Sequence, residues 1–160
     1  MRIIGIDPGT GILGFGVVDV ISPTNAKLVT AGVITTPANT PLEDRLVEIY
    51  EGLTDIIKET SPSHMSIEKL YFAQNVTTAI SVAHARGVAM LTGKQANLTI
   101  YEYTPLQIKQ TITGYGRANK KQMQEMVRVR LGLQEVQKPD DCADALAAAL
   151  THQLMTRVYK

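Results

Sequence analysis

Arg2-Ile3-Ile4-Gly5-Ile6-Asp7-Pro8-Gly9-Thr10-Gly11, followed after two apolar residues by Gly14-Phe15-Gly16-Val17-Val18-Asp19-Val20, decides the fold. Residues 2–7 are a short apolar run without polar alternation, the pattern of a buried strand, and the run ends on a carboxylate. Pro8-Gly9-Thr10-Gly11 is turn material. Residues 14–20 predict a second strand and residues 27–35 a third, with Pro23 and Asn25 marking the turn between them. Three strands joined by short turns predict an antiparallel meander.

Beyond the meander the pattern changes period. Thr40-Pro41 predicts a helix start, with Thr40 as cap and Pro41 as first helical residue. Leu42, Leu46, Ile49, Leu53, Ile56 and Ile57 then recur at helical spacing, and Ser61-Pro62 ends the segment. His64-Met65-Ser66-Ile67-Glu68 predicts a short strand that also ends on a carboxylate. Asn75 is placed to cap a helix reaching about Gln95, and residues 98–103 predict a fifth strand. Thr104-Pro105 opens a short helix to about Thr111. Gly114-Tyr115-Gly116 is a loop, and Asn119 caps a basic helix that stops near Gly132. Pro139 opens the last helix, in which Ala143, Leu146, Ala147 and Leu150 can face a core. The expected architecture is α/β: a five-stranded mixed sheet with helices on its faces. No repeat or linker divides the chain, so one domain over residues 1–156 and a tail at 157–160 are expected.

The chain has 160 residues and 44% hydrophobic content, enough for a packed core. No apolar run reaches the roughly 18–20 residues of a membrane span, and a carboxylate at position 7 does not suit a secretory leader. A lone Cys142 excludes an intramolecular disulfide and gives no zinc pattern. The cytoplasm is the expected compartment. Net charge is only +1, but residues 109–138 carry seven basic residues against Glu125 and Glu135. Such a stretch suits either a polyanion-binding face or an ordinary solvated one.

Asp7 and Glu68 end strands, where ligands gather in open α/β sheets. They stand side by side if their strands are neighbours. Asp141 and Asp144 share a helix face near an N-terminus that favours anions. Four converging carboxylates repel one another unless a hard divalent cation lies among them. Two magnesium ions can serve phosphodiester cleavage in such a site. Asp7 taken alone suits a plain turn or a phosphate loop equally well, and Asp140 and Asp141 suit simple helix capping.

Ile4-Gly5-Ile6-Asp7-Pro8-Gly9-Thr10 with Gly14-Phe15-Gly16-Val17 resembles the start of the RuvC-type Holliday junction resolvases. The resemblance continues in order through Ile67-Glu68, Phe72-Ala73-Gln74-Asn75, Ala85-Arg86-Gly87-Val88, Gln107-Ile108-Lys109-Gln110, Gly114-Tyr115-Gly116 and Asp141-Cys142-Ala143-Asp144-Ala145-Leu146-Ala147. It implies a ribonuclease-H-like fold and a homodimer that nicks opposing strands of a four-way DNA junction, leaving 5′-phosphate ends. It makes Asp7, Glu68, Asp141 and Asp144 the catalytic metal ligands for Mg2+, two per subunit with substrate bound and Mn2+ as a substitute. Tyr71, where the family often has Phe, is implied to stack at the junction centre, while Phe72 is expected in the core. Lys109 and Lys120 are implied to contact DNA; Arg117 and Lys121 are added as basic candidates of the same stretch. Branch-migration motor proteins are implied partners. Ala79, Ala83 and Gly87, small residues four apart, are assigned to the dimer interface. Arg86 is either structural or DNA-facing, and His64, His84 and His152 are given no chemistry. The competing readings are a ribonuclease-H-like nuclease acting on RNA, a junction-binding protein without catalysis, and a single-domain nucleotide-binding protein.

Overall fold

A computed structural model describes residues 1–70 and 76–156. The expectations for Tyr71, Phe72, Asn75 and the 157–160 tail lie outside the described residues. Strands β1 (Arg2–Asp7), β2 (Ile12–Ser22) and β3 (Asn25–Thr35) form the antiparallel meander, and β4 (His64–Glu68) and β5 (Thr99–Tyr103) join it in parallel. The sheet order is β3-β2-β1-β4-β5, so the strands ending in Asp7 and Glu68 are neighbours. Helices α1 (Leu42–Thr60) and α2 (Val76–Gln95) cover one face. Helix α5 (Asp140–Met155) covers the other, backed by α3 (Pro105–Thr113) and α4 (Lys120–Arg130).

Side chains alternate between the two layers, as strand geometry demands. Ile4, Ile6, Met65 and Ile67 pack toward α1 and α2 with Ile49, Leu53 and Ala89. Ile3 faces the opposite layer with Leu146, Ala149 and Leu150. Helix α5 is buried almost all round, from Cys142 to Gln153. The sequence pattern anticipated only one core face, because α3 and α4 close the outer side through contacts remote in sequence.

The predicted cap Asn119 is present, and Thr104 caps the helix that Thr104-Pro105 is expected to open. Thr104 and Asn119 each form a capping box, with Gln107 and Gln122 returning the bond. Thr40 is a correction. Its N–H is spent in a turn onto the Pro37 carbonyl at 3.2 Å, and Pro41 occupies the cap position with no side-chain cap bond. Glu43 and Asp44 in the first turn complement the helix dipole there.

His64 and His152, unrelated in sequence spacing, meet in the α5 layer. Their ring centroids lie 5.3 Å apart, and the Tyr101 ring stacks on His152 at 4.0 Å. His152 is 1% exposed. Its Nδ1 bonds the Tyr103 hydroxyl at 2.8 Å, and its Nε2 has no partner among the described residues. Burial, aided by His64, lowers its pKa to about 4. A histidine depressed in the folded state contributes stability above about pH 6.5 and loses it as pH falls toward 4. His152→Phe should therefore lose roughly 3 kcal/mol less stability than the parent between pH 6.5 and 4. Urea unfolding at the two pH values checks this, since any constant packing penalty cancels in the difference. Equal acid sensitivity of the two proteins would show that His152 does not titrate this way.

Candidate active site

The site is built on a floor of small residues. On the α5 face, Gly16, Gly5 and Ser66 form one row across β2, β1 and β4. A Cβ on Gly5 would lie 2.0 Å from the Ala145 carbonyl oxygen, and one on Gly14 would lie 2.2 Å from that of Asp141. Backbone thus rests on backbone, and the Ser66 hydroxyl donates to the Ala148 carbonyl at 2.6 Å. This approach lowers the first turns of α5 onto the ends of β1 and β2.

The next row holds the chemistry. Asp7 pairs with Gly14 across the β1–β2 ladder. On its other side, one step beyond the Ile6–Ile67 pair, stands Glu68. Asp141 lies directly over Gly14, and Asp144 follows on the same helix. A cleft of about 280 Å³ opens here, lined by Glu68, Asp144, Lys109, Lys120 and the apolar Ile108 and Met123.

The electrostatics are those of crowded anions. Burial raises the pKa of Asp7 to about 7, and Asp144, Glu68 and Asp141 add to the rise. Burial, then Asp144, raises Glu68, while Lys109 works against it. Asp144 is raised chiefly by burial and held back by Lys120. The Lys120 ammonium lies 3.3 Å from Asp140 and 3.6 Å from Asp144. Desolvation opposes its charge, but these carboxylates outweigh it and raise its pKa. Among the described residues no three acids close on one point as a complete metal cage. The donor set nonetheless suits a hard cation that keeps several of its waters, and the raised pKa values of Asp7, Glu68 and Asp144 reflect burial first and mutual repulsion second.

The expected residues divide as follows. Asp7, Glu68, Asp141, Asp144, Lys109 and Lys120 are brought together. Arg117 and Lys121 are exposed and lie outside the residues lining the cleft. Part of the basic stretch is spent locally: Arg128 pairs with Glu125 at 2.6 Å, and Arg130 donates to the Ile112 carbonyl at 3.1 Å. Asp140, which the sequence suits to helix capping, is a partner of Lys120. Arg86 reaches the backbone of Glu68, a contact no local pattern announces. The phosphate-loop reading of the Asp7 turn finds no support, because Thr10 is 5% exposed. Its hydroxyl is held by Ser81 at 2.6–2.7 Å, and its carbonyl accepts from Thr36.

The family model for "Crossover junction endodeoxyribonuclease RuvC" matches residues 3–152. The protein of that name from Desulfitobacterium hafniense is 51% identical over 152 residues, covering 95% of this chain and 92% of the relative. That from Brevibacillus brevis is also 51% identical, covering 95% and 91%. A solved structure titled "T. thermophilus RuvC in complex with Holliday junction substrate" superposes with a TM-score of 0.94 at 34% identity, over 99% of this chain and 96% of that one. The five-stranded sheet with its flanking helices is thus the ribonuclease-H-like fold. Carrying the carboxylates at the strand ends and the matching architecture from end to end, the chain belongs to the RuvC family of crossover junction endodeoxyribonucleases.

Proposed function

We propose that this protein resolves four-way DNA junctions by paired hydrolytic nicks, one made by each subunit of a homodimer. The observation that carries the reading is the row Gly14–Asp7–Glu68 beneath the first turns of α5, where half-buried carboxylates crowd one another beside Lys109 and Lys120. Asp7, Glu68, Asp141 and Asp144 would hold Mg2+, two ions per subunit with substrate bound, and Mn2+ can take their place. When bound, the metal acidifies the attacking water and polarises the scissile phosphate. The chain's own groups do the remainder. Lys109 and Lys120 sit at the cleft rim, where they can neutralise the backbone phosphate and the charge that develops on it. Attack of water breaks the bond between phosphorus and the 3′-oxygen, leaving a 3′-hydroxyl and a 5′-phosphate. Tyr71 is proposed to stack on a base at the junction centre, and Arg117 and Lys121 to track more distant phosphates.

The dimer reading rests on α2. Ile80 and Leu91 are 50% and 55% exposed, Ala83 is exposed beside them, and a Cβ at Gly87 would meet nothing within 4 Å. An apolar exposed stripe on a helix suits a second copy of the same face. Branch-migration motors are further proposed partners. Among the described residues no helix is long and apolar enough to cross a membrane.

A labelled four-way junction, a matching duplex and an RNA duplex, each incubated with Mg2+, Mn2+ or Ca2+, provide the test. Symmetric nicks in the junction alone, with Mg2+ or Mn2+ but not Ca2+, are expected. Equal cleavage of the duplex or of RNA would overturn the assignment.

A further inference from the structure

The parallel ladder between β1 and β4 ends at Ile6–Ile67, although β1 itself continues to Asp7. The cause is in the sequence. Thr99 N–H donates to the Ser63 carbonyl, and Lys69 N–H to that of Tyr103, so odd residues of β4 bond toward β5. Even residues, Glu68 included, therefore turn their carbonyls toward β1. In a parallel ladder the donor due to the Glu68 carbonyl is the N–H of residue 8, and residue 8 is proline, which has none. The carbonyl of a candidate metal ligand is left without its strand partner.

Arg86 supplies it. From α2 its Nε donates to the Glu68 carbonyl at 3.1 Å, and its Nη2 pairs with the Glu102 carboxylate on β5. The Arg86 side chain is only 18% exposed, so the guanidinium is held at the sheet end and does not range over the surface. One rigid fork thereby replaces the missing ladder bond and fixes the peptide from which the Glu68 side chain departs. We infer that Arg86 is a positioning residue for the metal site, acting through the main chain of Glu68 and itself set by Glu102. This rests on the reading of Glu68 as a metal ligand.

Four measurements on Arg86→Lys, Glu102→Gln and Glu68→Gln test the inference. They are calorimetric titration of the DNA-free protein with Mn2+, the Mg2+ concentration giving half-maximal junction cleavage, junction affinity in EDTA, and thermal melting. Lysine keeps the charge but cannot serve carbonyl and carboxylate with one planar fork. Arg86→Lys should weaken Mn2+ binding and raise half-saturating Mg2+ about fivefold or more, with metal-free junction affinity within twofold of the parent. Glu102→Gln, a change at a partly exposed side chain that leaves the fold intact, should shift metal binding in the same direction by about twofold. Unchanged metal titrations in both variants, with Glu68→Gln weakened, would overturn the inference. A fivefold loss of junction affinity in EDTA with unchanged metal binding would also overturn it, making Arg86 a DNA contact. If Glu68→Gln itself leaves metal binding unchanged, it is the ligand reading that fails.

Discussion

Asp7→Asn should abolish junction cleavage and at the same time make the metal-free protein more stable above neutral pH. The activity loss should exceed the roughly 10–100-fold expected for an outer-shell partner of a metal, while junction binding survives. The stability gain follows from the raised pKa. In the folded chain Asp7 titrates at about 7, against roughly 3.9 in an unfolded one. Below pH 4 both states are protonated and Asp7 costs nothing. As pH rises from 4 to 7 the unfolded state ionises first, so stability falls across that window and stays reduced above it. Allowing for partial solvent access, the penalty is about 2–4 kcal/mol. Asparagine removes it. Urea unfolding in EDTA should place the variant above the parent at pH 8 and level with it at pH 4. Added Mg2+ should then stabilise the parent and leave the variant where it was. A variant less stable than the parent at pH 8 in EDTA would make Asp7 a structural cap of the 8–10 turn, the plain reading the sequence left open.

The same window links two groups with opposite signs. Between pH 7 and 4 protonation relieves the burial penalty and repulsion of the Asp7 charge, while His152 resists the proton its unfolded form would take. The acid profile of the metal-free protein is thus flatter than either group alone would make it, and only the two variants separate the contributions.

What was legible in the sequence was local. The meander follows from apolar runs and turns, the start of α3 from Thr104-Pro105, the cap of α4 from Asn119, and the strand-end acids from where those runs stop. Glu68 came to lie beside Asp7 because its strand inserts next to β1, a pairing the sequence could only make conditional. Thr40 failed as a cap because the helix starts one residue later, which puts Pro41, with no side-chain acceptor, at the cap position. The His64–His152 contact, the grip of Arg86 on Glu68 and the burial of most of α5 depend on sheet order and helix approach. No periodicity within one element encodes those. The basic stretch was legible as charge but not as free charge, since Arg128 and Arg130 are spent in holding α4 and the loop after it.

Small residues in β1 and β2 carry the other large expected effect. Gly5→Ala should lower cleavage about a hundredfold without touching a reacting group. Its new Cβ would lie 2.0 Å from the Ala145 oxygen and 2.8 Å from the Ala149 nitrogen, backbone atoms that cannot turn aside. Helix α5 must then lift by about an ångström, carrying Asp141 and Asp144 away from Asp7 and Glu68. A displacement of that size at a catalytic constellation costs on the order of 10²-fold, and the overpacking itself costs roughly 3 kcal/mol of stability. Gly16→Ala provides the contrast. There the new Cβ meets the Leu146 side chain at 2.6 Å, so truncating Leu146 to Ala should restore part of the lost cleavage. Truncating side chains around Gly5 cannot do the same, because the obstacle is a carbonyl. Cleavage rates and unfolding midpoints of Gly5→Ala, Gly16→Ala and Gly16→Ala/Leu146→Ala decide the matter. Full activity in Gly5→Ala would mean that α5 has slack at this contact, and that the carboxylates owe their placement to something other than the glycine floor.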